Sequence, residues 1–445
     1  MTMAADKQDK VLNVPNKREQ SQTCLNSAER AGLRPKGNVP TLRFPEFRGE
    51  WHRTTIGECC SPLEYGMNAP AKEYDGKNKY IRITDIDEET CTYKYDDVVS
   101  PNALLEEKYK VLDNDILFAR TGASTGKAYL YDKKDGLMYY AGFLIRGNVK
   151  PDFNSKFVFL QTQTQKYKKW VDIMSIRSGQ PGINSQEYSS FKFHLPPSKV
   201  EQDKISTLFT LLDVRITTQI RIIEDLKSER KFLLEQLFCL PKEHTPKLRL
   251  KGMTGDWYKV RLYDIVERIT ERNKANTCSR VLTIAAQYGL IDQQEFFNKQ
   301  IASSDLTTYY LLHKGDFAYN KSYSGDYPWG AVKRLDNYNE GVLSSLYVCF
   351  RPNGNVDSDF LCHYFESTKW YRGISEISGE GARNHGLLNM SVDDYFNTIH
   401  RIPSLEEQRQ ISTMFNTIVQ KIKIEESIID KLQKQKSYLL KEMFV

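Results

Sequence analysis

The stretch GASTGKA, Gly122–Ala128, carries the glycines, hydroxyls and lysine from which phosphate-binding loops are made. Such a loop needs four residues between its glycines and a serine or threonine after the lysine to hold magnesium. Here three residues intervene and Ala128 follows Lys127, so both the phosphate cradle and the metal ligand are lost. A glycine-rich basic loop flanked by Arg120 and Lys127 is the better reading, and a plain hairpin turn the bland one. Other constellations fail in the same way. KPDFNSK resembles the Pro-Asp of nuclease sites, but Asn154 stands where a second acid is required. The seven histidines, His52, His194, His244, His313, His363, His385 and His400, show no His-Glu-x-x-His spacing for zinc hydrolysis. No Asn/Asp-Pro-Pro-aromatic motif for adenine methylation is present. The eight cysteines include no Cys-x-x-Cys pair, which leaves packing thiols rather than a zinc or redox site. The expectation is a chain with no catalytic residue, no metal ligand and no cofactor of its own.

The elements that would position any site are written twice. PSKVEQDKISTLF from Pro197 returns as PSLEEQRQISTMF from Pro403, an offset of 206 residues with eight of thirteen positions identical. The identities include Glu201/Glu407, Gln202/Gln408, Ile205/Ile411 and Phe209/Phe415. The same offset lays PTLRFPEFRGEW from Pro40 over PKLRLKGMTGDW from Pro246. One offset that serves two separated anchors marks a duplicated unit.

After each phrase the apolar residues step by four and three, the seam of a paired helix. The first seam is Ile205, Phe209, Leu212, Ile216, Ile223, Leu226, Leu233 and Leu237, interrupted by Gln219 and Arg230. The second is Ile411, Phe415, Ile418, Ile422, Ile429, Leu432, Leu439 and Met443, interrupted at the same register by Glu425 and Lys436. A rod of about 40 residues is roughly 60 Å long at 1.5 Å per residue. The connection CLPKEHTP is too short to return over that distance, so the rods are expected to pair antiparallel.

Between anchors lie two bodies of equal length, 157 residues from Pro40 to Pro197 and from Pro246 to Pro403. Their short apolar runs, among them KYIRITDID, DILFAR, KAYLYD and LIRGNV, read as strands, and SKFVFLQTQTQKYKKW as helical. Faint matches survive between them: Asp115 with Asp316, Arg120 with Lys321, Gly126 with Gly330, Asp132 with Asp336. The expected fold class is α+β: two mixed α/β domains separated by a pair of long antiparallel coiled-coil helices, with an internal pseudo-twofold repeat. The expected organisation is a disordered basic tail (1–39), a first body (40–197), a first rod (198–239), a linker (240–245), a second body (246–403) and a second rod (404–445).

Net charge is +6, of which the tail, with seven basic against four acidic residues, supplies half. That is too little to neutralise a long nucleic-acid backbone alone. No apolar run reaches the roughly 18 residues of a membrane helix, and the polar N-terminus lacks the apolar stretch of a secretion signal. The expected location is the cytoplasm.

These features resemble the specificity subunit of type I restriction-modification systems. The resemblance rests on LRFPEF…GEW, YIRITDI, the NDILF/GDFAY strands and above all LPPSKVEQDKI and IPSLEEQRQI. It covers Pro40 to Val445, with one departure, Ile402-Pro403 where the first copy has Pro196-Pro197. It implies that the two bodies, 40–197 and 246–403, are target-recognition domains, each reading one half of a bipartite, asymmetric site in double-stranded DNA, with the gap between halves unread. It implies also that the paired helices set the spacing and dock two methyltransferase subunits, which use S-adenosylmethionine to methylate adenine N6. Restriction subunits, with ATP and magnesium, would join them.

Arg and Lys suit guanine edges and Asn and Gln suit adenine, so the loops nominate readers. In the first body these are Tyr65, Asn68 and Lys72; Arg120, Thr121, Ser124 and Lys127; and Arg177, Ser178, Gln180 and Asn184. In the second they are Asn320, Lys321, Ser322 and Tyr323, with Arg383, Asn384 and His385. The rival reading is a coiled-coil adaptor that joins two protein-binding domains without DNA.

Overall fold

The computed structural model describes residues 37–177, 179–285, 288–297, 305–322, 327–378 and 388–445. The expected disordered tail lies outside these, apart from residues 37–39. The chain divides into two compact units: unit one, up to Thr217 together with Asp430–Val445, and unit two, Thr218–Ile429.

In unit one, β1 (His52–Thr55) pairs antiparallel with the strand that closes the body, Lys192–Leu195. A four-stranded antiparallel sheet has β2 (Glu64–Tyr65) at its edge, then Leu144–Asn148, Asp115–Ala119 and Ala128–Leu130. We label these β3 (Asp115–Ala119), β4 (Ala128–Leu130), β5 (Leu144–Asn148) and β6 (Lys192–Leu195). The helical stretch after β5 is two helices, α1 (Ser155–Gln161) and α2 (Gln165–Met174). The break falls at Thr162–Thr164, where both hydroxyls donate back to carbonyls of the preceding turn and Thr164 caps α2. Ser and Thr compete with the helix backbone in this way and favour caps.

Unit two repeats the plan. β7 (Tyr258–Arg261) pairs with the closing strand Ile399–Ile402. The four-stranded sheet runs β8 (Val266–Arg268), Val348–Pro352, Phe317–Asn320, Ala331–Arg334, in the same spatial order as before. The last three are β9 (Phe317–Asn320), β10 (Ala331–Arg334) and β11 (Val348–Pro352).

Two helices of 38 residues, α3 (Lys199–Gln236) and α6 (Leu405–Glu442), carry the seams. Between them lie α4 (Ser358–Tyr364) and α5 (Tyr371–Ile377). Within each unit the pairing is antiparallel. In unit one Ile205 and Phe209 share a core with Met443 and Phe444, and Asp213 bonds Lys436 at 2.8 Å. In unit two Ile223 and Leu226 pack with Ile422, and Leu237 and Phe238 with Ile411 and Phe415. Leu233, Ile418, Ile429 and Leu439 are half-buried and the remaining seam residues buried. The polar interruptions have partners: Gln219 donates to Glu425, Arg230 pairs with Glu366, and Lys436 with Asp213. Leu234 and Phe238 also enter the core of unit two, so the apolar stripe there is wider than an a/d seam.

The duplicated phrases are the joint between body and helix. Glu201, fully buried, accepts two bonds from Arg43, 2.7 Å from Nε and 2.8 Å from Nη2, and one from Trp51 Nε1 at 3.3 Å. Glu407 does the same with Arg249, at 2.9 and 2.8 Å, and with Trp257 at 3.4 Å. The neighbouring Gln202 accepts from the backbone N–H of Asn154, the N-cap of α1, whose side-chain Oδ1 also accepts from the Ser206 hydroxyl. Gln408 and Ser412 hold Asp357, the N-cap of α4, in the same way. The buried thiols Cys59, Cys60, Cys239 and Cys349 are pushed up by burial, to about 11 for Cys59 and about 12 for the others, which keeps them protonated packing groups.

Unit two buries two neutral imidazoles. His400 bonds Tyr364 and Thr398, both at 2.8 Å, and His363 bonds Asn416 at 2.9 Å. Burial pushes both pKa values down to about 4. The unfolded chain takes up these protons near pH ~6.5 and the folded chain does not. The stability they contribute is therefore full above pH ~6.5 and is lost as pH falls toward 4. At 1.36 kcal/mol per pKa step the loss is about 3 kcal/mol for each group. Denaturant unfolding of unit two is expected to weaken steeply across this window. The double variant His363→Gln, His400→Gln should flatten the slope; an unchanged slope would refute the assignment.

Candidate nucleic-acid interface

The turn that follows β3 depends on two glycines. Gly122 and Gly126 have positive φ, 68° and 91°, a conformation glycine adopts without strain. A Cβ on Gly126 would also lie 2.5 Å from Val171. The turn's amides are engaged: Gly122 N donates to Pro181 O, Gly126 N to Ala119 O and Lys127 N to Ser124 O. Lys127 leads into strand β4, not into a helix. A phosphate loop needs free amides at a helix N-terminus, so this turn is not one.

The turn holds Arg120. Its backbone N–H donates to Phe143 O and its carbonyl accepts from Ile183, each at 3.0 Å. Its guanidinium lies 4.9 Å above the Tyr65 ring and donates to Gly142 O at 3.3 Å. Tyr65 is fixed in turn by the N–H of Ser185, 3.2 Å from its hydroxyl. Thr121 bridges Gly182, and Gln180 lies exposed against Gly122. Tyr65, Arg120, Thr121 and Gln180 thus form one cluster, assembled from β2, the turn after β3 and the segment before residue 185.

The other candidates of unit one are placed differently. Arg177 is held by both oxygens of Glu187, at 2.6 and 2.7 Å. Asn184 is the N-cap of the short helix Ser185–Ser189, its side-chain oxygen taking the Glu187 N–H. Lys127 pairs with Glu88 at 3.2 Å. Ser124 is half-buried in the turn. Asn68 and Lys72 are exposed, Lys72 on the strand Ala71–Glu73. Ser178 lies outside the described residues.

In unit two Asn320 ends β9, its side chain accepting from Ser322 N at 2.9 Å. Gly330 is required opposite it, since a Cβ there would fall 2.1 Å from Asn320 O. Lys321 lines a cavity of about 80 Å³ with Arg268, Tyr310 and Leu346. Arg272 lies 5.3 Å above the Tyr310 ring. Lys321 therefore occupies the position after its strand that Arg120 holds after β3, and it lines a cavity with Tyr310 and Arg268. Tyr323, Arg383, Asn384 and His385 lie outside the described residues. The sequence reading missed Arg268, the last residue of β8, and Arg272, four residues on, neither of which carries a motif.

Among the described residues no cluster of three or more His, Cys, Asp or Glu is placed to hold a metal, and no helix is long and apolar enough to cross a membrane.

Residues 50–228 match the family model of the type I restriction modification DNA specificity domain. Two solved structures share the fold. One is the type I restriction-modification S subunit from M. genitalium, 14% identical, TM-score 0.57, with 92% of this chain and 99% of that one covered. The other is a chain from a study of complex assembly and conformational transition in a type I system, 15% identical, TM-score 0.51, with 89% and 97% covered. Over residues 50–228 the chain thus matches the type I restriction-modification DNA specificity domain, and as a whole it shares the fold of these two solved structures.

Proposed function

We propose that this chain reads DNA sequence for a type I restriction-modification complex and does no chemistry itself. Unit one reads one half of a bipartite, asymmetric site and unit two the other. The α3–α6 pair sets the distance between the halves and docks two adenine-N6 methyltransferase subunits. Those partners bring S-adenosylmethionine, and restriction subunits bring ATP and magnesium. The observation that carries this reading is the conserved scaffold with rewritten contents. Both units keep the same sheet order and the same Arg–Glu–Trp joint. Yet the loop after the third-placed strand of each sheet offers Arg120 stacked on Tyr65 in one and Lys321, lining a cavity with Tyr310, in the other. Phosphate contacts position a protein and base contacts specify. A net charge of +6 on 445 residues suits a reader whose partners supply much of the phosphate binding.

A gel shift with the co-expressed methyltransferase tests it. Sequence-specific retardation of duplex DNA is expected. Absence of binding to any DNA would favour the coiled-coil adaptor.

A further inference from the structure

Both units carry a large apolar side chain at the tip of the same turn. In unit one the turn Ala141–Leu144 is closed by Leu144 N donating to Ala141 O at 2.8 Å. In unit two Ser344–Tyr347 is closed by Tyr347 N donating to Ser344 O at 3.2 Å. The third position is Phe143 in one and Leu346 in the other, 58% and 74% exposed. Each turn feeds the second strand of its four-stranded sheet, β5 or β11. Among the described residues neither side chain joins a hydrophobic cluster.

A single exposed apolar residue is ordinary. The same exposure at the same turn in two bodies whose other contents were rewritten is not. Turn positions favour small polar residues, and Phe143 and Leu346 are both mostly exposed. What they share is a neighbour. Phe143 O accepts from Arg120 N, and Leu346 lines the same cavity as Lys321. Each tip is thus tied, by a backbone bond in one unit and a shared cavity in the other, to a candidate base-reading residue.

We propose that Phe143 and Leu346 are wedges that enter the stack at one base step in each half of the DNA site. This rests on the DNA-reading assignment and deepens it. Phe and Leu are among the side chains that unstack a base step, a cost of a few kcal/mol that a bent duplex offsets through added contact. Pyrimidine–purine steps open most readily. Each wedge therefore adds a preference for a deformable step next to the base read by Arg120 or Lys321.

The test uses the full chain in complex with its methyltransferase partners. 2-Aminopurine is placed in turn at each purine of the site other than the methylated adenine. The expected result is a severalfold fluorescence rise at one step in each half. Phe143→Ala should abolish the rise in the first half only and Leu346→Ala in the second only, each weakening binding about tenfold, the equivalent of 1.4 kcal/mol. Phe143→Leu, which borrows the residue of the other repeat, should keep the signal. Binding with no rise at any step, or a rise that survives both alanine variants, overturns the wedge. Loss of affinity on replacing thymine by uracil, without unstacking, overturns it in favour of a methyl contact. A wild-type complex that binds no DNA overturns the parent reading instead.

Discussion

Replacing Glu201 by alanine lowers the stability of unit one by about 3–5 kcal/mol, the cost of leaving a buried charge without its partner. Arg43 and Glu201 have side-chain exposures of only 10% and 1%, so water cannot take over the lost bonds. The carboxylate also holds Trp51, one of the largest fully buried side chains. Glu201→Gln keeps an acceptor for the indole but leaves the guanidinium uncompensated, and should fall between wild type and alanine. Glu407→Ala should repeat the loss in unit two through Arg249 and Trp257, where the pair is 18% and 2% exposed. The contrast is Lys434→Ala. It breaks an ion pair with Asp430 that is 75% and 58% exposed, and surface pairs of this kind are worth about 0–1 kcal/mol. Hydrogen exchange resolved by unit is the suitable measurement, since a chain with two compact units need not unfold in one step. A Glu201→Ala chain as protected as the Lys434→Ala chain would refute the joint.

The second large effect concerns recognition. Arg120→Ala is expected to weaken binding of the preferred sequence by about 1–3 kcal/mol, roughly five- to 150-fold, and to relax one position in one half of the site. The arginine is pre-positioned. Its backbone is bonded on both sides and its guanidinium is stacked on Tyr65, so little freedom is lost on contact. Lys321→Ala should relax one position in the other half. Binding to sites randomised one half at a time distinguishes this from a phosphate contact, whose loss would weaken all sequences alike. A uniform loss from Arg120→Ala would remove it from the base-reading set.

The repeat was legible because its residues are buried and each has one task. Glu201 holds the entry segment, Gln202 and Ser206 hold the N-cap of α1, and Ile205 and Phe209 fill the core. Selection by burial leaves a phrase that can be recognised twice. The seam was legible for the same reason, except at Leu234 and Phe238, where the end of α3 meets the core of unit two as well as its partner helix. The loops were harder to read. Arg177, Asn184 and Lys127 look like free polar groups in the sequence, but Glu187 and Glu88 reach two of them and a helix N-terminus takes the third. A sequence displays donors and does not show which acceptor the fold will bring. Asn154, read as a missing acid of a nuclease motif, is instead the N-cap held by Gln202. Phe143 was hidden because it precedes an apolar strand and looks like its continuation.

The central claim is that the chain directs adenine methylation to a two-part sequence. Methylome sequencing of a host that expresses it with its methyltransferase partners tests this most directly. The account predicts N6-methyladenine on both strands of one asymmetric site, in two unlike halves with an unread gap. Methylation at a continuous site, or a pattern unchanged when the chain is left out, would contradict it.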